Sequence, residues 1–157
     1  LHRVDRRQRQ MCIRDSHKPY LQKLAYLLKK AQMGVVSDPH TGPLHARVRE
    51  LLEEGVLVCL GQDDISDAYY PFGRNNMLEV AFLAAHLMWM TSREELEILY
   101  DLITTNAALA LNIPNYGLKE GGNADLVILN ANSVWEAIWN HEAPLHVFKD
   151  GVEITEK

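Results

Sequence analysis

The sequence predicts an α/β fold in which helices cover a parallel sheet, and three observations predict it. Helix-like and strand-like segments alternate from residue 20 to residue 90. Two short apolar runs, MGVVS and VLVCL, are each followed closely by aspartate. After Pro114 the chain turns first glycine-rich and then β-rich. Such alternation is the pattern of repeated βα units, whose crossover helices leave the strands parallel. In parallel architectures, and above all in (β/α)8 barrels, ligands gather at the C-terminal ends of the strands.

The elements follow in order. YLQKLAYLLKK, Tyr20 to Lys30, sets Leu21, Leu24, Leu27 and Leu28 at helical spacing and ends in lysines that suit the C-terminal dipole, so a helix ends near Gln32. MGVVS reads as a short buried strand stopped by Asp38-Pro39, because proline lacks the donor that a central strand needs. HTGPLH is a loop, ARVRELLEE a helix from Ala46 to Glu54 closed by Gly55, and VLVCLG a second buried strand. Helices are expected from Met77 to Met90 and from Ser92 to Ala110, the second opened by a Ser92-x-x-Glu95 capping box. Asp125 to Leu129 reads as a strand, WEAIWN as a short helix, and LHVFKDGVEIT as a hairpin turned at Asp150-Gly151.

The first sixteen residues, LHRVDRRQRQMCIRDS, stand apart. They are crowded with arginine and carry no sustained apolar period of either kind. The string resembles translated adapter sequence at the end of an assembled metagenomic fragment, with MCIRDS its recognisable part, so residues 1–16 are expected to be a non-native or disordered segment.

Composition excludes several classes of function. A hydrophobic content of 47% is ordinary for a globular chain, and a formal net charge of −5 argues against a nucleic-acid partner, which would call for a basic face. Cys12 and Cys59 form no CxxC pair, so neither a disulfide framework nor a cysteine zinc knuckle is available and a reducing cytoplasm is the expected setting. No signal peptide is visible. The apolar run from Met77 to Met90 is too short to span a bilayer and holds Glu79 and His86, so no membrane partner is expected.

Chemistry concentrates in LGQDDISDAYYPFG, where Asp63, Asp64 and Asp67 follow the second strand directly. Carboxylates so placed can ligate a divalent cation together with imidazoles, take a proton from an activated water, or accept hydrogen bonds from a polar heterocycle. A solvated loop in which Asp64 or Asp67 caps the next helix fits the spacing equally well. Tyr69, Tyr70 and Phe72 could wall a heterocycle pocket or simply pack the loop onto a barrel rim. His40 and His45 flank a loop at a strand end and could line a pocket or ligate a metal there, although a lone loop histidine is usually only solvated. His86 reads as a partly buried packing residue, His141 and His146 sit in the tail, and His17 abuts the suspected junction.

Three stretches, VVSDP, ELLEEGVLVCLGQDDISDAYYPFGRNNMLEVAFLAAHLM and LITTNAALALNIPNYGLKEGGNADLVILNA, together resemble the C-terminal third of the amidohydrolase superfamily, within it the cytosine deaminase and triazine amidohydrolase group. The resemblance runs from His17 to about Ile154. It implies the C-terminal fragment of a (β/α)8 TIM barrel with MGVVS as strand seven and VLVCLG as strand eight. Residues 17–113 are then barrel, and residues 114–157 return to a small β-sandwich. It also implies that Asp63 ligates, or lies against, a catalytic divalent metal, Fe or Zn, and takes a proton from the attacking water. Asp64 is the first substrate-binding candidate, with Asp67 and Tyr69 after it. The family commonly shows Gly-His-Asp where this chain has Gly61-Gln62-Asp63, and Gln62 is not expected to be a ligand.

The activity so implied is hydrolytic deamination of cytosine to uracil and ammonia. Hydrolysis of an N-substituted aminotriazine or a cyclic amide is the nearest alternative, and a non-catalytic barrel-derived binding protein a more distant one. The H-x-E and P-C-x-x-C signature of the other zinc deaminase design is absent. So are the family's H-x-H pair, its fifth- and sixth-strand histidines and its proton-shuttling glutamate. The expectation is therefore a truncated chain, inactive alone and not retaining metal, with an unpaired edge on strand seven, from a full-length parent that is an enzyme and a homo-oligomer.

Overall fold

The computed structural model describes residues 18–63, 66, 68 and 70–155. The arginine-rich segment at residues 1–16 lies outside them.

Helix α1 (Lys18–Lys30) leads to strand β1 (Val35–Ser37), a 3₁₀ turn (Pro39–Leu44), helix α2 (Val48–Glu53) and strand β2 (Val58–Leu60). Helices α3 (Met77–Met88), α4 (Arg93–Ile103) and α5 (Thr105–Ala110) follow. The chain then forms β3 (Leu126–Ile128), α6 (Val134–Asn140), β4 (His146–Lys149) and β5 (Val152–Glu153). β1 and β2 pair in parallel, Val35 against Val58, Val36 against Cys59 and Ser37 against Leu60, as the βα rhythm requires. The tail is a separate antiparallel sheet in the order β3-β4-β5.

One apolar cluster joins the helices to β2. Leu21 and Ala25 of α1, Leu51 of α2, Val58 and Leu60 of β2, Val80 and Ala84 of α3, Leu99 and Leu102 of α4 and Ile138 of α6 all belong to it. The buried stripe of α1 is Leu21 and Ala25, with Leu28 partly buried against it, while Leu27 of the expected leucine set faces outward. β2 is buried throughout. The expectation of a buried β1 is corrected, since Val36 is 64% exposed. β1 is bonded to a strand on one side only among the described residues, and of its three residues only Ser37 is buried.

The far edge of β2 is closed differently. Asn106 of α5 donates through Nδ2 to the Val58 carbonyl at 2.9 Å, a contact across 48 residues that satisfies a strand acceptor with a side-chain amide. Asn106→Ala leaves that carbonyl without its donor beside a buried strand. Urea denaturation is expected to show a loss of about 1–2 kcal/mol, and a change within error would mean that water replaces the amide without cost.

The expected helix from Ser92 to Ala110 is two helices. The capping box is present as read, Ser92 accepting from the Glu95 amide and Glu95 from that of Ser92. The break comes at Thr104 (φ −124°, ψ −90°). Its hydroxyl donates to the Tyr100 carbonyl at 2.7 Å, the acceptor that its own amide would use in a continuous helix, and the amide turns to Asp101 instead. Three β-branched residues in a row, Ile103, Thr104 and Thr105, weaken helical continuity further.

α3 likewise stops at Met88 rather than Met90, with Trp89 at φ 53°. Arg49 donates to the Met88 and Trp89 carbonyls and pairs with Glu95, placing a cation at the helix end and tying α2 to both α3 and α4. That guanidinium and the amides around Ser92 hold the Glu95 carboxyl below its usual range, the amide bond being the larger cause. In the tail, Asp150 (φ 51°) and Gly151 (φ 77°) both take positive φ, the requirement of a tight type I′ turn. Asp125 accepts from the Asp150 amide and from Lys149 Nζ, which binds the start of β3 to the hairpin and lowers the Asp125 carboxyl.

Candidate functional site

Parallel pairing brings the C-terminal ends of β1 and β2 together, and the register continues one step beyond the strands, where the Gly61 amide donates to the Ser37 carbonyl at 3.0 Å. The two strands approach closely there: a Cβ on Gly61 would lie 2.8 Å from Val36 Cγ1 across the pair, so a larger residue needs the Val36 side chain to shift. The two segments that leave this end are Asp38-Pro39-His40 and Gly61-Gln62-Asp63.

Asp63 stands at the end of β2 with its residue exposed, and among the described residues it makes no hydrogen bond or ion pair. It is thus an anionic acceptor presented to solvent at a parallel strand end, where the sequence argument put it. Asp64, Asp67 and Tyr69 lie outside the described residues. Further along the same loop, Ser66 Oγ donates to the Gly73 carbonyl at 2.7 Å.

The β1 side holds a constellation that sequence reasoning only half saw. Asp38 was read as a strand stop and His40 as a solvated loop residue, but the His40 side chain is fully buried. Asp38 Oδ1 accepts from both the His40 amide and His40 Nδ1, each at 2.9 Å, so Nδ1 carries the proton. Thr41 Oγ donates back to the Asp38 carbonyl at 2.7 Å. The Tyr70 ring meets the imidazole edge to face at 4.4 Å, and Phe72 meets Tyr70 in the same manner at 6.0 Å. Tyr70 therefore packs the loop onto the β1 end through His40, whereas Phe72 touches the Tyr70 ring but is 73% exposed. The Asp-x-His spacing directly after a strand was the available signal, since aspartate readily accepts from the amide two residues on.

The other histidines turn elsewhere. His45 Nδ1 donates to the Gly42 carbonyl at 2.8 Å. His86 is exposed rather than partly buried; its Nδ1 donates to the Phe82 carbonyl, and both His86 and His141 rest on the Phe82 ring. His146 pairs with Glu153 across the hairpin and lowers that carboxyl, with a further bond from Thr155. A cavity of about 500 Å³ lies between the start of α3, the end of α4 and β3, and no sequence-predicted site residue lines it.

A divalent metal fits these residues only in part. Asp63 offers one hard oxygen donor, but among the described residues no three histidine, cysteine, aspartate or glutamate side chains are grouped so as to hold an ion. One carboxylate falls short of the four or more donors such ions take, so the described residues do not form a metal centre. Cys59, the cysteine on β2, is buried, and burial pushes its thiol up. Native protein is expected to leave Cys59 unlabelled by iodoacetamide near neutral pH, with labelling on adding urea; rapid labelling of folded protein, read by peptide mass, would contradict this packing. No helix among the described residues is long and apolar enough to cross a membrane.

Comparison with known proteins places this geometry in context. Residues 4–151 match the model of the amidohydrolase family. The chain belongs to that family. It is 31% identical over 141 residues to the N-isopropylammelide isopropyl amidohydrolase of Pseudomonas sp. (strain ADP), covering 89% of this chain and 35% of that protein. Among solved structures it resembles the 5-methylcytosine deaminase of Klebsiella pneumoniae liganded with 5-fluorocytosine, with a TM-score of 0.83, 30% identity, and coverage of 92% of this chain and 38% of that one. It also resembles the N-isopropylammelide isopropylaminohydrolase of Burkholderia multivorans, with a TM-score of 0.85, 26% identity, and coverage of 91% and 37%. This amidohydrolase chain thus spans 35–38% of the length of these three proteins, and its α/β fold corresponds to that part of them.

Proposed function

We propose that the chain is the C-terminal part of a hydrolase acting on a carbon–nitrogen bond of a small heterocycle, with hydrolytic deamination of a cytosine-like pyrimidine as its reaction. The observation that carries the reading is Asp63, an exposed carboxylate at the end of a parallel strand in a chain of the amidohydrolase family. In this reading β1 and β2 are the seventh and eighth strands of a (β/α)8 barrel, residues 17–113 belong to that barrel, and residues 114–157 return to a small β-sandwich.

Asp63 accepts a proton from the attacking water. The water oxygen bonds to the ring carbon that bears the exocyclic amine. That C–N bond breaks, the proton held by Asp63 passes to the departing nitrogen, and ammonia leaves. A divalent ion, Fe or Zn, for which Asp63 would supply one ligand and the rest of a longer protein the others, would supply acidification of the water. Asp64, Asp67 and Tyr69 are the proposed substrate contacts, and a cytoplasmic homo-oligomer is the proposed state of the full-length protein.

A second substrate class is favoured by the two N-isopropylammelide hydrolases among the relatives, which make an N-substituted aminotriazine a competing candidate. The full-length protein should be assayed with cytosine, 5-methylcytosine and N-isopropylammelide in parallel, following ammonia and isopropylamine. Ammonia from a pyrimidine supports the first choice. Isopropylamine alone replaces it with the second, and neither amine removes both.

A further inference from the structure

We propose that Asp38 and His40 form a positioning pair that seats the loop between β2 and α3, through Tyr70, at the strand end that presents Asp63. The inference rests on the functional reading of that strand end and names residues that reading does not use.

The argument begins with a cost. Two polar atoms of the pair, Asp38 Oδ2 and His40 Nε2, are buried with no hydrogen-bond partner. An unpartnered buried polar group is destabilising, and an apolar residue of similar volume could fill the same space without that penalty. Space filling alone therefore does not account for a histidine here. Turn formation does not account for it either, because capping the 3₁₀ turn needs only the bond from the His40 amide to Asp38, which any residue but proline could supply at position 40.

What histidine adds is the second bond, from Nδ1 to the same oxygen at 2.9 Å. It fixes the direction of a ring whose side chain has no exposed surface. The fixed ring is the one against which Tyr70 packs, at 4.4 Å and 77° between planes. Tyr70 in turn lies on the chain between Asp63 and the start of α3. One carboxylate bond on the β1 side is thus transmitted by ring packing to the loop on the β2 side. Buried polar groups that set orientation at a cost in stability are the expected mark of a site built for geometry.

Two substitutions separate the parts of the pair in the full-length protein. His40→Phe keeps a ring for Tyr70 but gives up the bond to Asp38, whereas His40→Asn keeps a donor for Asp38 and gives up the ring. With His40→Phe, the unfolding midpoint should hold or rise and metal content stay unchanged, while kcat/KM on the preferred heterocycle falls by about tenfold, mostly through KM. His40→Asn should speed hydrogen exchange of peptides spanning residues 61–75 and leave that of α4 unchanged.

A purely structural role predicts stability and activity falling together, and that result would overturn the proposal. So would His40→Phe at full efficiency, or His40→Asn with unaltered exchange over residues 61–75. If the wild-type protein hydrolyses none of the heterocycles, the functional reading fails by itself, and the exchange comparison alone then decides for or against the pair.

Discussion

Asp63→Asn in the full-length protein is expected to lower kcat by about a thousandfold, the range associated with losing a group that moves a proton in the rate-determining step. The amide keeps the size and one acceptor oxygen of the carboxylate, but it can neither take a proton from water nor offer a charged donor to a cation. Because Asp63 is exposed and makes no hydrogen bond or ion pair among the described residues, the substitution should cost little stability, within about 0.5 kcal/mol. Folding and chemistry therefore separate cleanly at this position. Unfolding curves should superimpose while amine release disappears, and metal content should fall if the carboxylate is also a ligand. Activity within tenfold of wild type would show that the exposed carboxylate is a solvated loop residue and would remove Asp63 from the mechanism.

The contrast between Asp63 and His40 shows which features were legible in the sequence. Asp63 could be placed because its position depends on local pattern: an apolar run long enough for a strand, ended by glycine, with the carboxylate two residues on. The Ser92 capping box and the Asp150-Gly151 turn were legible for the same reason, since each is a few-residue motif whose hydrogen bonds close within itself. The break at Thr104 was not. A threonine hydroxyl can bond outward or back to the preceding turn, and only the observed bond to Tyr100 decides which.

Long-range contacts were less legible still. The Asn106 bond to Val58 crosses 48 residues, and the edge contact of Tyr70 on His40 needs the β2 loop folded over the β1 turn. The exposure of Val36 and of Leu27 depends on which elements lie next to β1 and α1, which periodicity does not encode. Periodicity found most strands and helices, but it missed the break at Thr104 and the 3₁₀ turn at Pro39–Leu44, and it could not say what covers each element.

Leu99→Ala is expected to lower the stability of the chain by about 3 kcal/mol or more. Leu99 is fully buried and among the largest fully buried side chains, at the centre of α4, the helix that packs against α3, α5, α6 and β2. Its isobutyl group lies in the apolar cluster that joins these elements, so collapse into the space left by truncation would pull packed elements apart. That is the condition under which the cavity contribution adds fully to the lost transfer free energy. The preceding residue supplies the control. Ile98 is of similar size on the same helix but 42% exposed, so Ile98→Ala should cost well under half as much in a matched urea titration. Equal losses at the two positions would mean that α4 does not present Leu99 to a packed core. The cluster joining β2 to the helices would then not be what holds the two strand ends, and Asp63 with them, in place.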